Sequence, residues 1–204
     1  EALLREIGLP AQKTPRAVVV GAVSRLAEQK GYNIVAEAIP RLARKPVFMV
    51  ILGYGDRVIQ EAIESAARKS PDKVAVRMKF DNALAHRVFA GSDLFLMPSR
   101  MESFGLAAVE AMAGGLPVLL SENVPVGRWV DEAGAGMQVA CTADAFAAAC
   151  QEMLKDEKAL NDFSKAIFLN TDLAETYELR GKVYKKRGDD ERARQDFEKA
   201  KTHK

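Results

Sequence analysis

Short apolar runs alternate with segments of helical spacing over the first three quarters of the chain. Ala17–Val23, Val47–Leu52, Val74–Met78, Leu94–Met97, Pro117–Leu120 and Met137–Val139 are rich in β-branched and large apolar residues, which predicts six strands. Between them, Asn33–Ala43, Val58–Lys69, Ala83–Ala90, Leu106–Ala113 and Ala143–Leu154 carry the spacing of helices. Strands that lack a polar face and are separated by helices imply βαβ crossovers, hence a parallel sheet covered on both sides. The expected fold is α/β: a Rossmann-like sheet of about six strands with helices on both faces. Ligands of such sheets bind outside the carboxyl ends of the strands, so the loops that follow the strands are where chemistry belongs.

The last fifty residues have another character. Residues 155–204 hold 13 Lys/Arg and 11 Asp/Glu, against 17 and 17 in the first 154, and only Gly181 and Gly188 interrupt an otherwise helix-forming stretch. Ala159, Asp162, Phe163, Lys165 and Ala166 recur 34 residues later as Ala193, Asp196, Phe197, Lys199 and Ala200. A helix–turn–helix period of 34 resembles the tetratricopeptide repeat, with Tyr177, Gly181, Tyr184 and Phe197 at its small and aromatic packing positions. One full repeat, about Ala174 to His203, and the preceding helix, about Asp156 to Leu169, fall short of the roughly three repeats that stand alone. This implies an all-α extension, 155–204, leaning on an α/β domain, 1–154.

Composition narrows the classes. With 48% hydrophobic and 28% charged residues the chain is globular, and a net charge of +2 gives no bulk support for nucleic-acid binding. The six apolar residues Val47–Leu52 fall far short of a membrane span of roughly 18. The only cysteines, Cys141 and Cys150, have neither metal-ligand spacing nor a CxxC arrangement, which suits reduced thiols in a soluble cytoplasmic protein. The chain opens at Glu1 without a signal segment and reads as a piece of something longer.

Three loops carry candidate chemistry. After the first strand, Arg25 and Lys30 stand five residues apart at a helix entrance, where a guanidinium fork, an ammonium and helix amides suit a diphosphate. After the second, Gly53-Tyr54-Gly55-Asp56 reads as a turn where backbone can approach a ligand, although it lacks the third glycine of a dinucleotide fingerprint. After the fourth, Glu102 precedes the Phe104–Leu106 amides and Glu110 follows eight residues later, two carboxylates able to accept hydroxyls from separate parts of one ligand. His86 reads as a structural helix residue, and His203 lies at the end of the chain.

The words "VSRLAEQKG", "ILGYGD", "ALAHRVFAGSDLFLMPSR", "ESFGLAAVE" and "WVDEAGAGMQV" together resemble retaining, nucleotide-sugar-dependent glycosyltransferases of the GT-B fold, above all glycogen and bacterial starch synthases. The resemblance runs from about Glu1 to Leu154. It implies that Arg25 and Lys30 hold the donor diphosphate and stabilise the leaving nucleoside diphosphate. It further implies that Glu102 holds the donor sugar with Ser103 and the Phe104, Gly105 and Leu106 amides, and that Glu110 binds the ribose. Gly53 lines the same donor site, and the base lies against the Lys79–Phe80–Asp81 loop. The donor would be an ADP- or UDP-sugar; no cofactor and no metal are implied, and the chain contains no Asp-x-Asp.

The family's first Rossmann-like domain, which recognises the acceptor, has no counterpart here, so the isolated chain is expected to be inactive without it. Ser121-Glu122-Asn123-Val124-Pro125 also departs from the Thr-Gly-Gly-like loop of glycogen synthase, which puts an α-glucan product in doubt. Besides the donor-binding half of a transferase, two readings stand: a non-enzymatic scaffold or engineered fusion whose tail contacts protein, and half of a nucleotide-sugar epimerase. Transfer to an added acceptor, product stereochemistry and release of a free epimer separate them.

Overall fold

The six apolar runs pair into one parallel sheet in a computed structural model of the chain, which describes residues 1–10, 17–155 and 190–202. The strands are β1 (Val18–Leu26), β2 (Val47–Gly55), β3 (Val74–Arg77), β4 (Leu94–Met97), β5 (Val118–Ser121) and β6 (Gly136–Val139), in the order β3-β2-β1-β4-β5-β6. Every residue of β4 and β5 is buried, as strands sandwiched between helices require.

Side chains of successive strand residues point to opposite faces, and here both faces are covered. On one face Val20, Met49 and Ile51 pack beneath α2 (Tyr32–Leu42), α3 (Arg57–Arg68) and α7 (Ala143–Lys155). On the other, Val19, Phe48, Val50 and Leu52 meet α1 (Ala2–Glu6) and α4 (Asn82–Gly91), while Phe95, Val118 and Leu120 meet α5 (Leu106–Ala113) and α6 (Gly127–Glu132). The expected α/β architecture, with helices on both faces, is therefore observed. Among the described residues no helix is long and apolar enough to cross a membrane.

Two helices escape the apolar pattern because they are short. α1 has five residues and α6 six, less than two turns each, so neither develops a periodic stripe. Tertiary contacts hold α1 instead. Leu3 and Leu4 enter the core, Arg87 grips the Glu6 carboxylate with two nitrogens at 2.8–3.0 Å, and an Arg77 guanidinium N–H donates to the Ile7 carbonyl at 2.8 Å. Complete burial of Leu4 contributes about 2 kcal/mol.

In the tail, α8 (Asp190–Thr202) falls within the repeat expected over Ala174–His203. The preceding helix, Asp156–Leu169, and the packing positions Tyr177, Gly181 and Tyr184 lie outside the described residues.

The strand order reverses between β1 and β4. The connection leaving β1 runs to α2 on one face and that leaving β4 runs to α5 on the other, so the two loops part and open a crevice at their carboxyl ends.

Candidate functional site

The first wall of the crevice is the exit of β1, and it begins later than the apolar run suggests. β1 continues through Leu26, pairing Ser24, Arg25 and Leu26 with Gly53, Tyr54 and Gly55 of β2. Arg25 is thus a strand residue rather than a loop residue. Its side chain is exposed and has no ion-pair or hydrogen-bond partner among the described residues. The Gly53-Tyr54-Gly55 segment is likewise strand, not turn. Its glycines answer to the ladder: a Cβ on Gly53 would lie 2.3 Å from the Ser24 carbonyl oxygen, and one on Gly55 2.1 Å from that of Leu26.

Beyond β1, a single 3-10 turn, Glu28–Lys30, ends at Gly31 in the left-handed region with φ 68°. A Cβ at Gly31 would lie 1.9 Å from the Pro98 carbonyl oxygen, so only glycine lets this turn press against the exit of β4. The contact is locked by main chain. The Gln29 carbonyl accepts from the Arg100 amide at 2.9 Å and from the Met101 amide at 3.0 Å.

These constraints bring two of the sequence candidates together. Lys30 Nζ donates to Glu102 Oε2, while Glu102 Oε1 accepts from the Ser103 amide at 3.1 Å. The pair is largely shielded, with side chains 19% and 12% exposed. An ammonium and a carboxylate held beside helix-entry amides can divide a polar ligand between them, the cation taking an anion and the carboxylate accepting hydroxyls.

The β4 exit loop is pinned from β5 and β6. The Phe104 carbonyl accepts from the Val126 amide at 3.1 Å, and the Phe104 and Trp129 rings stand 6.0 Å apart. Gly105 caps α5 at φ 106°, where a Cβ would lie 2.7 Å from a Val124 methyl. Ser121 Oγ donates to the Ser99 carbonyl, and Gln138 Nε2 donates to the Val124 carbonyl at 3.0 Å. Ser103 through Leu106 therefore form a braced entry to α5, with half-buried Glu110 one turn further on.

Phe80 stands apart from this cluster, 87% exposed in the loop between β3 and α4. The next residue, Asp81, caps α4 by accepting from the Leu84 amide at 2.8 Å and pairs with Lys79 at 2.6 Å. The Lys79 hydrogen bond, then that from Leu84, holds the Asp81 carboxyl below its usual range. His86 is exposed on α4. Cys141 Sγ donates to the Pro98 carbonyl at 3.4 Å, and partial burial pushes this thiol up; full burial on α7 pushes Cys150 to about 12.

Sequence reasoning missed the residues that assemble the site: the carbonyls of Gln29 and Pro98, and the brace through Ser121 and Gln138. One signal was present, the glycine directly after Lys30, although its partner strand was not.

The family described as "Glycosyl transferases group 1" matches residues 10–168, and the chain belongs to it. Within that class its similarity is to glycogen synthases. The glycogen synthase of Anaeromyxobacter sp. (strain K) is 51% identical over 119 residues, 58% of this chain and 25% of that enzyme. The chain spans about a quarter of the length of the curated relatives it matches. Among solved structures, the catalytic domain of starch synthase IV from Arabidopsis thaliana, bound to ADP and acarbose, aligns with a TM-score of 0.71 and 26% identity, over 81% of this chain and 37% of that one. The C-terminal domain of a group 1 family glycosyl transferase from Francisella tularensis shares the fold, with a TM-score of 0.69 and 17% identity, over 83% of this chain and 89% of that one. The six-stranded sheet is consistent with one Rossmann-like half of a GT-B enzyme.

Proposed function

We propose that this chain is the donor-binding half of a retaining, metal-independent glycosyltransferase of glycogen or starch synthase type. The observation that carries the reading is the meeting of Lys30 and Glu102 at the point where the strand order reverses, in a chain of the group 1 family. Lys30 and Arg25 bind the donor diphosphate. As the sugar–phosphate bond breaks, negative charge grows on the leaving oxygen, and cations fixed near it favour that state over the intact donor. Glu102 orients the sugar hydroxyls, aided by Ser103 and the Phe104, Gly105 and Leu106 amides. Glu110 holds the ribose, and Gly53 and Phe80 border the nucleoside.

The Arabidopsis starch synthase IV structure contains ADP, which makes an ADP-sugar the first donor to test and a UDP-sugar the second. Transfer itself would need a separate acceptor-binding domain, and this chain spans about a quarter of the length of the glycogen synthases it matches. The 34-residue sequence period supports a tetratricopeptide-like reading of the segment 155–204, with a structural role or a protein partner.

Calorimetric titration of the chain with ADP, UDP and GDP tests this, alongside an Arg25→Ala, Lys30→Ala double variant. Binding of one diphosphate, lost in the double variant, is the expected result. A folded chain that binds none at millimolar concentration would leave the scaffold reading in its place.

A further inference from the structure

The geometry points to Tyr54 as a second aromatic wall of the nucleoside site, a base-stacking residue standing between Arg25 and Phe80; this rests on the donor-binding reading above. Tyr54 is the register partner of Arg25 on the neighbouring strand, one strand spacing of about 4.8 Å away. On its other side β3 ends its pairing at Arg77, opposite Leu52, so the loop bearing Phe80 leaves the sheet beside the last residues of β2. The carboxyl ends of β4, β1, β2 and β3 thus present, in spatial order, Glu102, Arg25, Tyr54 and Phe80.

All of the last three belong to one face. Side chains alternate along a strand, and Phe48, Val50 and Leu52 lie in the core beneath α1 and α4, so Tyr54 continues their row. Arg25 continues the row of Val19 and Val23 on the same side, and Phe80 sits two residues before α4, which covers that face.

Exposure singles Tyr54 out. The six residues before Gly53 in β2 are buried, yet Tyr54 is 62% exposed, and Phe80 is 87% exposed. A flat ring beside a guanidinium that has no ion-pair partner among the described residues is what a planar base joined through ribose to a diphosphate requires: cation for the phosphate, π-face for the base. Base stacking is tolerant of sequence, so Tyr54 supplies affinity for a nucleoside without selecting among bases.

The test is calorimetry of the full chain and its Tyr54→Ala and Tyr54→Phe variants, with ADP and with inorganic pyrophosphate, each variant first checked for an unchanged unfolding midpoint. Tyr54→Ala is expected to weaken ADP binding by about 10- to 100-fold while leaving pyrophosphate unchanged, and Tyr54→Phe to retain ADP affinity within a few-fold. A Tyr54→Trp variant adds a direct readout, because ADP should quench the added indole and pyrophosphate should not. Wild-type affinity for ADP in Tyr54→Ala, an equal loss of pyrophosphate, or an indole blind to ADP would each overturn the stacking role while the donor site stands. A wild-type chain that binds no nucleoside diphosphate overturns the donor site, and the stacking role with it.

Discussion

Lys30 and Glu102 are separated by 72 positions in the chain and joined by a hydrogen-bonded ion pair at the mouth of the crevice. Under the donor-binding proposal, a ligand with its own phosphate and hydroxyl groups would compete with this pair for both side chains. Until then each neutralises the other's largely shielded charge, which would be costly to leave alone.

A double-mutant cycle isolates that relationship. Lys30→Met strands the Glu102 carboxylate and should lower the unfolding free energy by about 1–3 kcal/mol, while adding Glu102→Gln recovers part of the loss. Nucleotide binding should stay lost in both. Urea unfolding measures the cycle, and a coupling smaller than about 0.3 kcal/mol would deny the pair any energetic role.

Gly31 and Gly8 offer a matched comparison. Both have positive φ, 68° and 76°, but a Cβ at Gly31 meets the Pro98 carbonyl whereas one at Gly8 meets nothing within 4 Å. Gly8→Ala should cost only the left-handed backbone strain of about 1 kcal/mol. Gly31→Ala should cost more than about 3 kcal/mol and loosen the Lys30 turn, because backbone must move. Equal losses in urea unfolding would show that the Pro98 contact is easily relieved.

The two thiols should separate by accessibility and by pH. At neutral pH a thiol reagent should label half-exposed Cys141 in the native protein and Cys150 only on unfolding. Burial holds the folded Cys150 thiol at about 12 against a reference of 9.0, so between these values the native state keeps a proton that the unfolded state has lost. The stabilisation is complete below about pH 9 and falls away as pH rises toward 12, by up to about 1.4 kcal/mol per pH unit. Cys150→Ala should flatten that alkaline slope in unfolding titrations; an unaltered slope would assign it to other groups.

Asp56 caps α3 through the Val58 amide at 2.8 Å and the Ile59 amide at 3.2 Å. Asp56→Ala should therefore cost about 1 kcal/mol in urea unfolding and Asp56→Asn much less. Equal effects of the two would point away from the cap.

The sheet was legible because strands covered on both faces leave no room for polar residues: Val47–Leu52, Leu94–Met97 and Pro117–Leu120 read directly as β2, β4 and β5 within a residue at most ends, save the far end of β2. That end was misread for a physical reason. Glycines signal turns in isolation, but Gly53 and Gly55 are glycines because β1 backbone passes within contact of them, and only the pairing reveals it. Strand pairing likewise carries Arg25 into β1. Among the site candidates, Lys30 and Glu102 converge through Gln29 and Pro98 main-chain atoms, which carry no side-chain signature. α1 and α6 went unseen because helices of five and six residues owe their existence to what they touch.

The Gln29 carbonyl binds the amides of Arg100 and Met101, while the side chains of those three residues are exposed. Any amino acid with a free amide can occupy positions 100 and 101 and still make the same two bonds. The mouth of the crevice can therefore be re-lettered at 29, 100 and 101, in natural variation or in a selection library, while Lys30 and Glu102 keep their relative position. The lining is free to diversify because the frame beneath it is written in backbone.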